Sequence, residues 1–215
     1  MKNFLTQSEK EELSGLVSEI EKRTKTQIVL SLVNRSDSYD ELPWKAFSLG
    51  SAAAVLILLI YYSLNPNWIT QTDILITATV CLAAGILFAL ITIFIHPFGR
   101  LFLPKERAEE EIRQFADSLF LEKEMFAVKN RKSILIHISL FERKVYIHPD
   151  KGIADEISGM ISEKIISSIT KHLKRKDIFK TFENGLNELS AILKSDTGKG
   201  EYKNEIPDDI IEEEK

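Results

Sequence analysis

Cysteine is all but missing from this 215-residue chain: Cys81 is the only one, and it lies inside a long apolar run. Disulfides, cysteine-ligated zinc and cysteine-dependent catalysis in water are therefore excluded. There is no Cys-x5-Arg loop, no G-x-x-x-x-G-K-[ST] loop and no G-x-G-x-x-G turn, so the common phosphate-binding motifs are lacking. Positive charge is not in excess either. The formal net charge is −4, and the last 15 residues hold seven acids and two bases, which leaves the remainder close to neutral. No broad basic face for nucleic acid follows from that balance. The N-terminus lacks a signal-peptide pattern, because Thr6 to Thr26 is charged throughout, and a cytoplasmic start is expected.

Two stretches lack charge altogether. Ala46 to Leu64 is a run of 19 uncharged residues and Ile74 to Ile95 a run of 22. At ~1.5 Å of rise per residue, each can cross a hydrocarbon core ~30 Å thick. A pair of soluble core helices is the alternative, but such helices keep a polar stripe, and these runs have none. Trp44, Tyr61, Tyr62 and Trp68 stand at the ends of the runs, where aromatic belts form. A transmembrane helical hairpin over 44–100 is expected, with spans at 46–64 and 74–95. Its connector, Asn65 to Asp73, holds no Lys or Arg, whereas Arg35 and Lys45 precede it and Arg100, Lys105, Arg107 and Arg113 follow it. Positive charge marks the cytoplasmic side. The expectation is a multi-pass protein of the inner (cytoplasmic) membrane with both termini in the cytoplasm and the lipid bilayer as its first partner.

The 43 residues before the hairpin are too few to bury a core alone, so residues 1–43 and 101–194 are expected to form one α/β domain, with 195–215 an acidic, loose tail. Thr6 and Glu9 have capping-box spacing, and Leu13, Leu16, Val17 and Ile20 form one apolar stripe, which predicts a helix over 7–23. Ile28 to Val33 reads as a buried strand, and Pro43 is expected to stop whatever precedes the membrane. Ala108, Ile112, Phe115, Ala116, Leu119 and Phe120 recur at helical spacing after Pro104. Ile134 to Leu140 alternates, Phe141 to Arg143 can turn, and Lys144 to His148 returns, which is a β-hairpin. An amphipathic helix over 153–173 and another over 177–194 complete the pattern.

Four stretches resemble the TPM-domain proteins, whose relatives include a thylakoid protein of photosystem II maintenance. They are Thr26 to Leu30, Ser36-Asp37-Ser38-Tyr39 with Pro43, Ser133 to Ile153 (SILIHISLFERKVYIHPDKGI), and Asn204 to Asp208. The likeness is to the bacterial membrane branch with a hairpin inside the domain. It implies an α/β fold, a small mixed sheet flanked by helices. It also implies calcium binding and, as in some plant relatives, acid phosphatase activity. Two departures weaken the phosphatase carry-over: Ser133 stands where a Gly is usual, and His148-Pro149 replaces a more commonly apolar or acidic pair.

The residues themselves point to one cluster. Asp37, Tyr39 and Asp40 follow the first strand, and Asp150 with Gly152 follows the third; ligands of α/β sheets gather at strand ends. Carboxylates from Asp37, Asp40 and Asp150 suit Ca²⁺ or Mg²⁺. The alternative is that Asp37 and Asp40 make Asx-turns and Asp150 caps a turn. Glu142 and Arg143 at the hairpin tip are candidates for a partner contact, although an exposed turn accounts for them equally well. His137 and His148 share a face, but two histidines are too few for zinc, and His137 is expected to be hydrogen-bonded beneath a helix. The function expected is a binding or quality-control module for membrane proteins. A metal-dependent acid phosphatase is the alternative, and a lipid-surface module using Lys171 to Lys176 a third reading.

Overall fold

The two central strands are buried on both faces, and that requires layers on both sides. In the computed structural model, which describes residues 4–66, 68, 70–153, 159, 165, 177–193 and 203–213, strands β1 (Gln27–Val33) and β2 (Ser133–Ser139) are buried at every position. They pair in parallel, Gln27 opposite Ser133 through Val33 opposite Ser139. Strand β3 (Lys144–Pro149) returns antiparallel to β2, and β4 (Ile211–Glu213) lies parallel to the other edge of β1. The four-stranded mixed sheet has the order β3-β2-β1-β4.

Helix α1 (Gln7–Thr24) begins with the capping box that Thr6 and Glu9 predict: the Thr6 hydroxyl accepts from the Glu9 N–H, and the Glu9 carboxylate accepts from the Thr6 N–H. Its Leu13, Val17 and Ile20 pack with Phe182, Leu186, Leu189 and Leu193 of the last described helix, Ile178–Leu193. That layer rests on Ile28, Leu30 and Leu32 of β1 and Ile134, Ile136 and Ile138 of β2. On the opposite face, Ala116, Leu119 and Phe120 of the helix Lys105–Glu122, together with Met125, pack on Val29 and Leu135. The amphipathic helix expected over 153–173 lies mostly outside the described residues, as does the Lys171–Lys176 cluster.

The chain divides into two units, one of residues 1–37 with 108–215 and the other of residues 38–107. The second holds helices α2 (Glu41–Leu64) and α3 (Gln71–Phe94), both long and apolar enough to cross a membrane. Only 11 % and 6 % of their apolar windows are buried, which is unlike a soluble core helix. They pack closely because Gly50 and Gly85 face the partner helix: a Cβ on Gly50 would lie 2.8 Å from the Ala84 carbonyl oxygen, and one on Gly85 would meet Ser51 and Phe47. The Ser51 hydroxyl donates to the Cys81 carbonyl at 3.1 Å, and Tyr62 meets Thr77 at 3.1 Å. Pro43 does not end a segment as expected. It sits in the first turn of α2, where its missing N–H costs no helical bond.

The tail also departs from the sequence expectation. Residues 203–213 are docked rather than loose. The Gln27 side-chain oxygen accepts from the N–H groups of Glu205 and Ile206 at 2.8 and 2.9 Å. The Ser14 hydroxyl donates to the Asp208 carbonyl, and Lys10 pairs with Glu212 at 3.0 Å. The Gln27 amide in turn donates to the buried Glu21 of α1, which also accepts from the Ile28 N–H. One side chain thus ties α1, β1 and the tail together. Acidity alone did not reveal this, because the anchors are backbone groups and Ile206 and Ile211 pack against the core.

His137 lies wholly inside this framework. Its ring stacks on Phe115 at 4.9 Å, Nδ1 meets the Ser31 hydroxyl at 3.1 Å, and Nε2 is buried without a hydrogen-bond partner. Burial pushes its imidazole down to about 3, so the folded protein holds it neutral.

Joining Asp40 to Lys105 through a flexible linker should give a soluble chain with one cooperative thermal transition, and Gln27→Ala should lower its stability by about 1–3 kcal/mol. The same chain without residues 1–33 should not fold, since β2 then loses its parallel partner. Stability should also fall as pH drops below about 6.5, because the unfolded chain takes up a proton on His137 that the folded chain refuses, at ~1.4 kcal/mol per pH unit. This loss should extend to about pH 3. In His137→Gln the slope of unfolding free energy against pH in this window should be shallower by that amount.

Candidate functional site

A parallel pair places the carboxyl ends of β1 and β2 side by side, and the segments that follow them are knitted into one platform. The Leu140 N–H donates to the Val33 carbonyl and the Phe141 N–H to the Asn34 carbonyl, at 3.0 and 2.9 Å. Arg35 lies over the Phe141 ring at 4.5 Å. Glu142 is not the exposed turn residue the sequence allowed. It is 8 % exposed, and its carboxylate accepts from the Ser36 N–H at 2.9 Å and from the Ser139 hydroxyl. It therefore braces the turn after β1 against the hairpin tip and is a positioning group. Arg143 beside it is exposed, with a left-handed backbone (φ 54°) at the tip.

The turn held in this way forms one wall of a cleft of about 440 Å³ lined by Ser36, Asp37, Glu111, Gln114, Phe115, Ser118, Leu119, Glu122 and Glu213. Four carboxylates border it and, among the described lining residues, no cation. Ser36 is 4 % exposed, and its hydroxyl has no hydrogen-bond partner in the structure. Sequence reasoning found Asp37 and missed the rest. Glu111, Phe115, Ser118 and Glu122 recur at i, i+4, i+7 and i+11, which puts them on one helical face. The stripe was overlooked because its polar members border the apolar face.

Asp150 does not join Asp37. Asp150 follows β3, which runs against β2, so it lies beside Ser133 and donates its N–H there at 2.9 Å. That is the amino end of β1 and β2, six residue steps or ~20 Å from Asp37 at ~3.3 Å per residue. Asp150 is also engaged: Arg131 donates to both its oxygens, at 2.8 and 2.7 Å, and the Lys151 N–H adds a third bond. Burial pushes the Asp150 carboxyl up, but these hydrogen bonds and the Arg131 charge outweigh it and hold the group below the usual carboxylate range. Gly152 serves the same corner, since a Cβ there would lie 2.1 Å from the Asn130 carbonyl oxygen. Asp40 and Tyr39 belong to the hairpin unit. Asp40 is exposed at the start of α2 and makes no side-chain cap, while Tyr39 is buried with a left-handed backbone (φ 53°).

Asp37 and Asp150, at opposite ends of the sheet, therefore do not share a calcium or magnesium ion, and among the described residues no three His, Cys, Asp or Glu side chains converge as a metal site. His137 and His148 do not converge on a metal either: one bonds Ser31 inside the core and the other meets Asp117. Four carboxylates around one cleft also repel a phosphate ester.

The comparisons with known proteins agree with this architecture. The TPM domain family model matches residues 93–192. The NMR structure of the BA42 protein from the psychrophilic bacterium Bizionia argentinensis superposes with a TM-score of 0.58, covering 99 % of this chain and 98 % of that one. At 14 % identity the likeness is one of fold. No curated protein matches the chain. The mixed sheet, its flanking helices and the matched residues support one statement: residues 93–192 match the TPM domain model, on a fold shared with BA42.

Proposed function

We propose that the chain is a membrane-tethered TPM module that binds a basic segment of another membrane protein in the acidic cleft. The observation that carries this reading is the convergence of Asp37, Glu111, Glu122 and Glu213 on one concavity with the partnerless Ser36 hydroxyl. Such a cleft favours a ligand that brings positive charge and a hydrogen-bond acceptor. The cleft lies at the carboxyl ends of parallel strands, where α/β folds place ligands. The two apolar helices serve as the tether to the bilayer. Lys and Arg outside the connector favour an inner-membrane protein with both termini in the cytoplasm. A role in membrane-protein quality control fits a module that captures basic juxtamembrane segments. The residues present do not favour a calcium-dependent or phosphatase reading, for the geometric and electrostatic reasons given above.

With the full chain in lipid nanodiscs, a fluorescent four-lysine peptide should bind, and raising salt from low to physiological strength should weaken it by about tenfold. Glu111→Gln combined with Glu122→Gln should weaken it several-fold, with a cooperative thermal transition checking that the variant is folded. Unchanged affinity in that variant would refute the proposal. A melting temperature raised by millimolar calcium, and no longer raised in Asp37→Asn, would assign the cleft to a cation instead.

Orientation has its own test. In a Cys81→Ser background, a membrane-impermeant thiol reagent added outside should modify a cysteine introduced at Asn65 and spare one at Ser8. Modification of the Ser8 position would reverse the topology.

A further inference from the structure

The opposite end of the sheet carries a different concavity, of about 420 Å³, lined by Asp117, Phe120, Leu121, Phe126, Arg131 and His148. Its walls are apolar, and two of them are unusually open: Leu121 is 62 % exposed and Phe126 40 %. Its polar groups are fixed. The His148 ring stacks on Phe120 at 4.4 Å and 12°, and stands edge-on to Tyr146. His148 Nδ1 lies 2.8 Å from an Asp117 oxygen. A carboxylate accepts, so Nδ1 carries the proton and, in the neutral imidazole, Nε2 carries the lone pair.

Arg131 is fixed as firmly. Its Nε and Nη2 are taken by Asp150, which leaves Nη1, and the side chain is 46 % exposed. The backbone beneath it is left-handed at two successive residues, Asn130 (φ 61°) and Arg131 (φ 56°). Such backbone costs free energy and persists only where neighbours enforce it. Gly152 does so here, donating its N–H to the Arg131 carbonyl at 2.8 Å from a position where any side chain would clash. An aligned imidazole, a held guanidinium and an open apolar wall in one concavity are the marks of a small-molecule site.

The charges select the ligand. With the imidazole neutral, Asp117 and Asp150 outnumber Arg131, so an anion is disfavoured. The lone pair of His148 asks for a hydrogen-bond donor and Arg131 Nη1 for an acceptor. From this we infer a second binding site, independent of the acidic cleft, for an uncharged flat ligand that presents an N–H beside a carbonyl on an apolar body, as an aryl amide or lactam does. The amide N–H donates to His148 Nε2, its carbonyl accepts from Arg131 Nη1, and the ring lies against Phe126 and Leu121.

Benzamide and benzoate have nearly the same shape but differ in charge and in the N–H donor. Titrated by calorimetry at about pH 8 into the full chain in nanodiscs, benzamide should bind saturably in the millimolar range and benzoate about tenfold more weakly, because benzoate leaves the imidazole lone pair unpaired. His148→Phe keeps the ring stack and removes the acceptor, so it should erase the preference for benzamide. Phe126→Ala, at an exposed position, should weaken both probes alike and keep the preference. Equal binding of the two probes by the wild-type chain would overturn the inference. So would an undiminished preference in His148→Phe, or no saturable binding of benzamide. If His148→Phe does not fold, Phe126→Ala decides: unchanged benzamide affinity there overturns the site.

Discussion

The parallel pairing of β1 with β2 is the constraint on which the remaining structure depends. Parallel strands cannot be joined by a tight turn, and here the crossover from Val33 to Ser133 contains both apolar helices and a third, amphipathic one. Because the strands are buried on both faces, each needs a helical layer above and below. The layers come from segments far apart in the chain: α1 and residues 178–193 on one side, residues 105–122 on the other. Neither half of the domain can satisfy its apolar surface without the other. The long crossover costs conformational entropy only logarithmically with its length, so two long apolar helices can be housed there with little penalty to the sheet.

Polar groups buried within this pair make its register specific. Ser31 meets His137, Ser139 meets Glu142, and Glu142 reaches the Ser36 N–H. A slip by one residue would send His137 and the serines to the wrong face and strand each polar group without a partner, at a cost of about 1–3 kcal/mol apiece. At the far end Gln27 does the same for the tail, whose Glu205 and Ile206 amides have its side-chain oxygen as their acceptor. The short strand β4 also covers the open edge of β1, which would otherwise offer unpaired backbone groups to another chain.

The two ends of the sheet differ in charge for a topological reason. At the carboxyl ends of β1 and β2 the turn carrying Asp37 meets the acidic face of the helix Lys105–Glu122 and Glu213 of β4. At the amino end, the antiparallel return of β3 delivers His148 and Asp150 to Asp117 and Arg131. The hairpin unit is held by different means. Gly50 and Gly85 let the helices approach closely, and Ser51 and Tyr62 make hydrogen bonds between them. In an apolar medium, where burial offers little driving force, packing of small residues and such bonds are what associate helices.

Local pattern determined much of this protein. The capping box at Thr6, the stripe of Leu13, Val17 and Ile20, the alternation from Ile134 to Ile138 and the charge-free runs each declare an element within a few residues of its observed bounds, because periodicity and capping are short-range properties. The resemblance carried by residues 133–153 gave the fold class. What the residues could not declare is which strand ends meet. Asp37 and Asp150 both follow a strand, but β3 runs against β2, so direction separates them to opposite ends of the sheet. Glu142 reads as a turn residue and is a buried brace; residues 203–213 read as a tail and are a strand with its anchors. Each depends on partners 100 or more residues away: Ser36 lies 106 residues from Glu142 and Gln27 178 from Glu205. Only the tertiary fold brings such groups within hydrogen-bonding distance.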